Sequence, residues 1–214
     1  MTLKVVPANE ADAPRIVAIE QVAFGPNPIS SALYPGPFPE GNAHLEAKNI
    51  NELRASPHCR WMKVVDEELE AKGEESTIAM AAWYFWDVPL THAMLPPDGQ
   101  YGPGANQECC ELFFGGMKRN MIKWFEGKTV AHLKLLQTDP AHQRRGAGSL
   151  LLKAGLAEAD RLGIPAYLEA SEEGKPLYEK VGFKSEGVLT FDMTPYGGPK
   201  EAVSHLMIRP VPTQ

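Results

Sequence analysis

The sequence predicts one α+β domain built on a mixed sheet, and three observations carry that prediction. Arg60 to Asp66 and Thr77 to Trp86 are strand-like runs on either side of an acidic connection, the pattern of an antiparallel hairpin. Thr129 to Leu136, Gly146 to Leu162 and Ala166 to Ala170 read strand, helix, strand. Such a crossover within one sheet is right-handed and makes its two strands parallel. No internal repeat and no Pro/Ser-rich linker divides the 214 residues, so 1–214 is expected to be a single domain.

The elements follow in order. Thr2 to Val6 is a short apolar strand. Asn9, Asp12 and Pro14 then supply capping and first-turn residues for a helix running through Ile16, Val17 and Ile19 to Phe24. Gly25 to Gly41 carries Pro26, Pro28, Pro35, Pro37 and Pro39, too many for a helix to continue, and reads as a loop. A second helix is expected from about Asn42 to Ala55. Glu67 to Ser76, with five Glu and a Gly, reads as a solvated tip. Asp87 to Gln107 is a second irregular stretch of prolines and glycines, and since long irregular loops in compact domains are usually functional or mobile it is an insertion candidate. Leu112, Phe113, Met117, Met121, Ile122 and Phe125 then fall near one helical stripe, so Glu108 to Phe125 is read as one amphipathic helix. Lys175 to Val181 makes a short helix, and Phe183 to Phe191 and Ala202 to Ile208 are the last two strands. Trp83, Phe85 and Trp86, as strand aromatics, are expected in the core.

Composition narrows the function. With 21 Lys and Arg against 27 Asp and Glu, the net charge of −6 opposes attraction to phosphate backbones and argues against a nucleic-acid partner. Cys59, Cys109 and Cys110 are an odd count with two adjacent, which is neither a disulfide framework nor a zinc knuckle. No metal is expected. The N-terminus lacks the apolar core of a signal peptide, and no apolar run reaches the ~20 residues that cross a bilayer, so no membrane association is expected. A cytoplasmic or nuclear protein fits these features.

The chemistry concentrates in Thr138-Asp139-Pro140-Ala141-His142-Gln143-Arg144-Arg145-Gly146-Ala147-Gly148-Ser149, which joins a strand to a helix. The glycines allow a tight turn in which the unpaired N–H groups of the helix start stand open. The helix dipole and Arg144 and Arg145 add positive charge, and a phosphate or pyrophosphate is the natural guest. Leu152, Leu156, Ala159 and Leu162 stripe the helix, Gly163 caps it and Pro165 forbids its continuation. Other phosphate motifs do not fit. Gly127-Lys128-Thr129 mimics the end of a Walker A sequence, but Ile122 stands where its first Gly is required. Gly146-Ala147-Gly148 has Leu151 where a dinucleotide fingerprint needs its third Gly.

Gln143-Arg144-Arg145-Gly146-Ala147-Gly148 resembles the Q/R-x-x-G-x-G/A signature of the GNAT superfamily of N-acetyltransferases. Pro176-Leu177-Tyr178-Glu179-Lys180-Val181-Gly182-Phe183 is similar to the LYEKxGF segment on that family's last helix. The two motifs stand in the family's order with the strand from Ala166 between them, and the close resemblance spans roughly Leu133 to Gly187. It implies a mostly antiparallel central sheet flanked by helices, splayed into a V between strands 4 and 5, with a βαβ cofactor-binding core at about 129–187.

The resemblance further implies transfer of an acetyl group from acetyl-CoA to a primary amine, by direct attack and without a covalent enzyme intermediate. The backbone of Leu136, Gln137 and Thr138 would hold the pantetheine arm, and Gln143, Arg144, Arg145, Gly146, Ala147, Gly148 and Ser149 the pyrophosphate. Ser171 stands where many members carry a cofactor-contacting Asn. Tyr178 matches the tyrosine that protonates the departing thiolate, and a phenol suits that task. For the base, some members use a carboxylate on the fourth strand. His132 falls at about that place, on the face opposite Ala131, Leu133 and Leu135, and Glu169 on the next strand competes with it. Gly25 to Gly41 and the loop near Asp87 to Gln107 would wall the acceptor channel. A small-molecule amine is the expected acceptor; a coenzyme A-binding regulatory module without catalysis and a peptide or protein acetyltransferase stay open, as does the oligomeric state.

Overall fold

The computed structural model describes residues 2–25, 27–96, 99 and 101–212. The expectations placed on Pro26 and Pro97 lie outside these. Seven strands form one sheet in the order β1-β2-β3-β4-β5-β7-β6. They are β1 (Leu3–Pro7), β2 (Cys59–Asp66), β3 (Thr77–Trp86), β4 (Val130–Thr138), β5 (Ala166–Ala170), β6 (Lys184–Phe191) and β7 (Ala202–Arg209). Every neighbouring pair is antiparallel except β4 with β5, which the intervening helix makes parallel. The sheet is therefore mixed and mostly antiparallel, as the sequence predicts.

Strand β3 lies between β2 and β4, and all ten of its residues are buried. Its side chains alternate between two apolar clusters. Ala79, Ala81, Trp83 and Phe85 face helix α7 (Ala147–Leu162), where Leu151, Leu152, Leu156 and Ala159 meet them. Met80, Ala82, Tyr84 and Trp86 face the other side, toward Ile16 of helix α1 (Ala13–Ala23) and Met121 and Phe125 of helix α6 (Gly116–Phe125). The strand aromatics are thus core residues. Trp83 comes so close to α7 that a Cβ on Gly155 would lie 2.1 Å from its ring. Gly155→Ala is accordingly expected to destabilise the fold by about 2 kcal/mol, since overpacking outweighs the roughly 1 kcal/mol gained in helix propensity. A denaturant midpoint equal to the wild type's would mean that the indole tilts aside without cost.

Three sequence expectations need correction. The Pro-rich stretch after Gly25 contains helix α2 (Pro28–Leu33), because Asn27 caps it through the N–H groups of Ile29 and Ser30 and Pro28 occupies the first turn, where no N–H is needed. After helix α3 (Ala43–Ala55), the acidic connection opens with helix α4 (Glu67–Ala71), capped by Asp66. The single helix expected over Glu108 to Phe125 is three pieces: α5 (Gln107–Cys110), a π-helical turn (Glu111–Gly115) and α6. The extra residue of a π turn shifts the apolar stripe, so the Gly115-Gly116 pair marks a change of helix type where the sequence suggested a weak spot.

The two Pro-rich stretches pack on each other. The Gly36 N–H donates to Gly104 O and the Asn106 N–H to Leu33 O, each within 3.0 Å, and the Phe38 ring lies against Gly104. Ala32, Leu33, Cys109, Cys110, Phe191 and Met193 form a third apolar cluster beneath them, at the end of β6. Among the described residues, no helix is long and apolar enough to cross a membrane.

Candidate active site

Two strands part company at the centre of the sheet. β4 pairs with β5 only at Ala131–Ala166, His132–Tyr167 and Leu133–Leu168. Beyond that point β4 continues to Thr138 alongside β3 alone, while Glu169 and Ala170 of β5 pair with β7 alone. A wedge opens between two strand edges, and the backbone groups of Leu136, Gln137 and Thr138 on its β5 side have no strand partner there. This is the V that the resemblance implies.

A bulge sets the side chains of β4. Ala82 pairs with Leu135 and Trp83 with Leu133, which leaves Lys134 as the extra residue. Leu135 is therefore shifted onto the α1 face, across from Ala82 and in the cluster that holds Tyr84 and Trp86, on the side of His132 and not opposite it. Strict period-2 alternation placed it wrongly. Leu136 faces α7, whereas the Gln137 side chain is buried on the α1 side and donates to Ile16 O at 3.1 Å. Only the backbone of Gln137 borders the wedge.

The turn into α7 stands at the mouth of the wedge. Arg144 and Gly146 both adopt left-handed backbone, with φ of 61° and 90°. This turns the chain so that the N–H groups of Ala147, Gly148 and Ser149 meet no backbone acceptor among the described residues. Gly146 is exposed, and a Cβ there would meet nothing within 4 Å, so the space before these donors is open. Gly148 ties the parts together. A Cβ on it would lie 3.7 to 3.9 Å from Thr138 Oγ1, Leu177 Cδ2 and Leu136 Cδ2, which brings β4, α7 and helix α8 (Lys175–Glu179) to one place. Gln143 donates to Thr138 O at 3.4 Å and closes the turn from below.

Arg145 behaves differently from the expectation placed on it. Its guanidinium is bonded to buried Asp66 and to His142 Nδ1, so its charge is used inside the protein. The Arg145 guanidinium beside Asp66 in turn holds that carboxyl below the usual carboxylate range. Arg144, exposed, is the arginine left free to face an anion. Ala147 is also turned inward, buried against the core, and offers only its backbone.

On the far side of the wedge, Ser171 Oγ accepts the Gly174 N–H at 3.1 Å, which leaves the hydroxyl its own proton to donate. A Cβ on Gly174 would be 3.2 Å from the Tyr178 ring, and Tyr178 meets Phe183 edge-on at 6.1 Å between centroids. Burial pushes the Tyr178 phenol up to about 12. At the apex, His132 Nε2 lies 2.9 Å from Glu169 Oε2, so the two candidates for the base touch. The sequence offered them as rivals; the parallel register of β4 and β5 joins them. The three cysteines are free and buried, and burial raises their thiols, Cys110 to about 12.

Residues 117–192, from α6 through β6, match the family model described as an acetyltransferase (GNAT) domain. The fold is that of the GNAT acetyltransferases. The protein is similar over 100% of its length to a solved structure described as histone acetyltransferase HPA2 and related acetyltransferase from Corynebacterium glutamicum, covering 99% of that chain at 22% identity and a TM-score of 0.64. Arylalkylamine N-acetyltransferase 2 from Aedes aegypti shares the fold at a TM-score of 0.68 and 12% identity, over 99% of this chain and 100% of that one. The ribosomal-protein-S18-alanine N-acetyltransferase from Escherichia coli does so at a TM-score of 0.55 and 16% identity, over 100% and 96%. The names of these three proteins span small amines and proteins as acceptors.

Proposed function

We propose that the protein transfers an acetyl group from acetyl-CoA to the amine of a small molecule by direct attack. The observation that carries this reading is the wedge between β4 and β5, with open helix donors at one mouth and Tyr178 beside it. Acetyl-CoA, when bound, supplies the thioester. Leu136, Gln137 and Thr138 offer a free strand edge to the amides of a pantetheine arm. The N–H groups of Ala147, Gly148 and Ser149, with Gly146 clearing their approach and Arg144 nearby, suit a pyrophosphate. Ser171 retains a hydroxyl proton for the cofactor, Tyr178 gives a proton to the leaving sulfur, and His132 takes one from the acceptor. Direct attack is supported by the cysteines, because buried thiols with raised pKa values are poor nucleophiles. The preference for a small acceptor rests on the expectation that the Pro-rich stretches, which meet each other through Gly36 and Gly104, wall the acceptor channel.

Gly146→Asp and Gly146→Asn test the cofactor site. Asp and Asn both tolerate left-handed backbone, so the pair isolates charge from strain. By calorimetry, Gly146→Asp is expected to bind coenzyme A at least tenfold more weakly than Gly146→Asn, a difference of about 1.4 kcal/mol. Equal affinities would put the phosphates elsewhere. Thiol release from acetyl-CoA, with small primary amines set against peptide N-termini, then tests the acceptor class.

A further inference from the structure

His132 and Glu169 form a pair almost out of water. Their side chains are 12% and 13% exposed, and Glu169 Oε2 is 2.9 Å from His132 Nε2. The imidazole has little freedom to turn. Trp86 stacks on it at 6.2 Å between centroids and an 18° tilt, and Tyr167 packs against it at 5.5 Å. The pair sits where the strands separate, His132 one position before the last β4–β5 rung and Glu169 one position after it. Tyr167 completes the cluster. Its hydroxyl is buried beside the Glu169 carboxylate, and burial, then the Glu169 charge and its hydrogen-bonding oxygen, push the phenol above its ordinary value. Tyr167 therefore stays neutral and takes no proton from the acceptor.

A neutral imidazole has one N–H and one lone pair, and an ionised carboxylate can only accept. The nitrogen facing Glu169 must then carry the proton. We propose that Glu169 is a positioning residue that holds His132 as the Nε2–H tautomer and so makes Nδ1 the atom that receives the acceptor's proton. The second half rests on the acetyl-transfer reading; the tautomer does not. In the step itself, an N–H bond of the acceptor ammonium breaks and an Nδ1–H bond forms. The nitrogen's electron pair is freed for the acetyl carbon, and the imidazolium is balanced by the Glu169 carboxylate. The proton returns to water after the product leaves. Removing the carboxylate removes both the tautomer bias and that balance.

The full chain labelled with ¹⁵N-histidine tests this by nitrogen–proton correlation. The wild type is expected to give a pyridine-like Nδ1 and a pyrrole-like Nε2 at His132. Glu169→Ala is expected to mix the two forms, while Glu169→Gln, whose amide oxygen still accepts, keeps the Nε2–H form without the charge. With an amine that the wild type acetylates, both variants are expected to lower kcat at least tenfold with the KM for acetyl-CoA unchanged. That loss is expected to vanish when His132 is already Gln, because the carboxylate acts through the ring. A wild type in the Nδ1–H form overturns the proposal, and so do tautomers indifferent to Glu169 or losses that add in the double variant. If Glu169→Ala does not fold, Glu169→Gln and the double variant decide it. The tautomer is read without turnover, so a protein that acetylates no amine overturns the acetyl-transfer reading and leaves the proton assignment standing.

Discussion

Tyr178→Phe is expected to lower kcat about 100-fold and to leave the affinity for coenzyme A unchanged. Tyr178 packs on Phe183 and beside Gly174, so removing the oxygen alone leaves the packing intact. Burial pushes the phenol up to about 12, which makes it a weak acid in isolation. A thiolate leaving into the same desolvated place is a stronger base than it would be in water, and a fixed donor there stabilises the charge as it develops. The raised value also sets a sign for pH. The hydroxyl keeps its proton through neutral and moderately alkaline pH, so a fall in activity below about pH 10 belongs to another group. Single-turnover kinetics at saturating acetyl-CoA give the measurement. A kcat equal to the wild type's, with chemistry limiting, would leave Tyr178 as a packing residue.

Local signals in the chain were enough for most elements. Thr77–Trp86 is readable to the residue because the apolar run from Ile78 to Trp86, between Ser76-Thr77 and Asp87, has to be buried on both faces. Helix α7 is readable from its stripe and from Gly163 and Pro165. What escaped was whatever depends on position within an element or on distant partners. Pro28 counts as a breaker until Asn27 is seen to cap it, after which it is a favoured first-turn residue. The Lys134 bulge leaves no mark in the apolar pattern, since two residues against one is a property of the β3–β4 pairing.

The same divide runs through the site. The turn and helix start over Gln143 to Ser149 were legible because they are contiguous in the chain, and the mirror case is Arg145, whose partner Asp66 lies 79 residues away. Nothing in the neighbourhood of Arg145 announces that its charge is already matched. The contact of His132 with Glu169, 37 residues apart, needed the register of two parallel strands. A one-position slip would have turned the two side chains to opposite faces. The Pro-rich stretches likewise read as separate insertions until Gly36 and Gly104 bring them together.

His132→Gln is expected to lower kcat/KM about 100-fold at neutral pH, with the deficit narrowing as the pH rises toward the acceptor's own pKa, near 10 for a primary amine. Glutamine is the right replacement because the ring's partner is nearly buried. An alanine would leave the Glu169 carboxylate without its hydrogen bond, and the cost of an unpaired buried charge would confuse catalysis with folding. The Gln amide can still donate to Glu169 but holds no proton acceptor of useful basicity. At neutral pH the acceptor arrives as an ammonium whose electron pair is unavailable, and without a base only its rare neutral form attacks. Below the amine's pKa that form becomes about tenfold more common with each unit by which the pH rises, so the variant recovers where the wild type gains less. Coenzyme A affinity measured in parallel is expected to stay constant, because His132 lies at the apex of the wedge and the turn at Gly146 lies at its mouth. A deficit that stays the same at every pH would assign His132 to structure, and no deficit at all would hand the proton to Glu169 or to water.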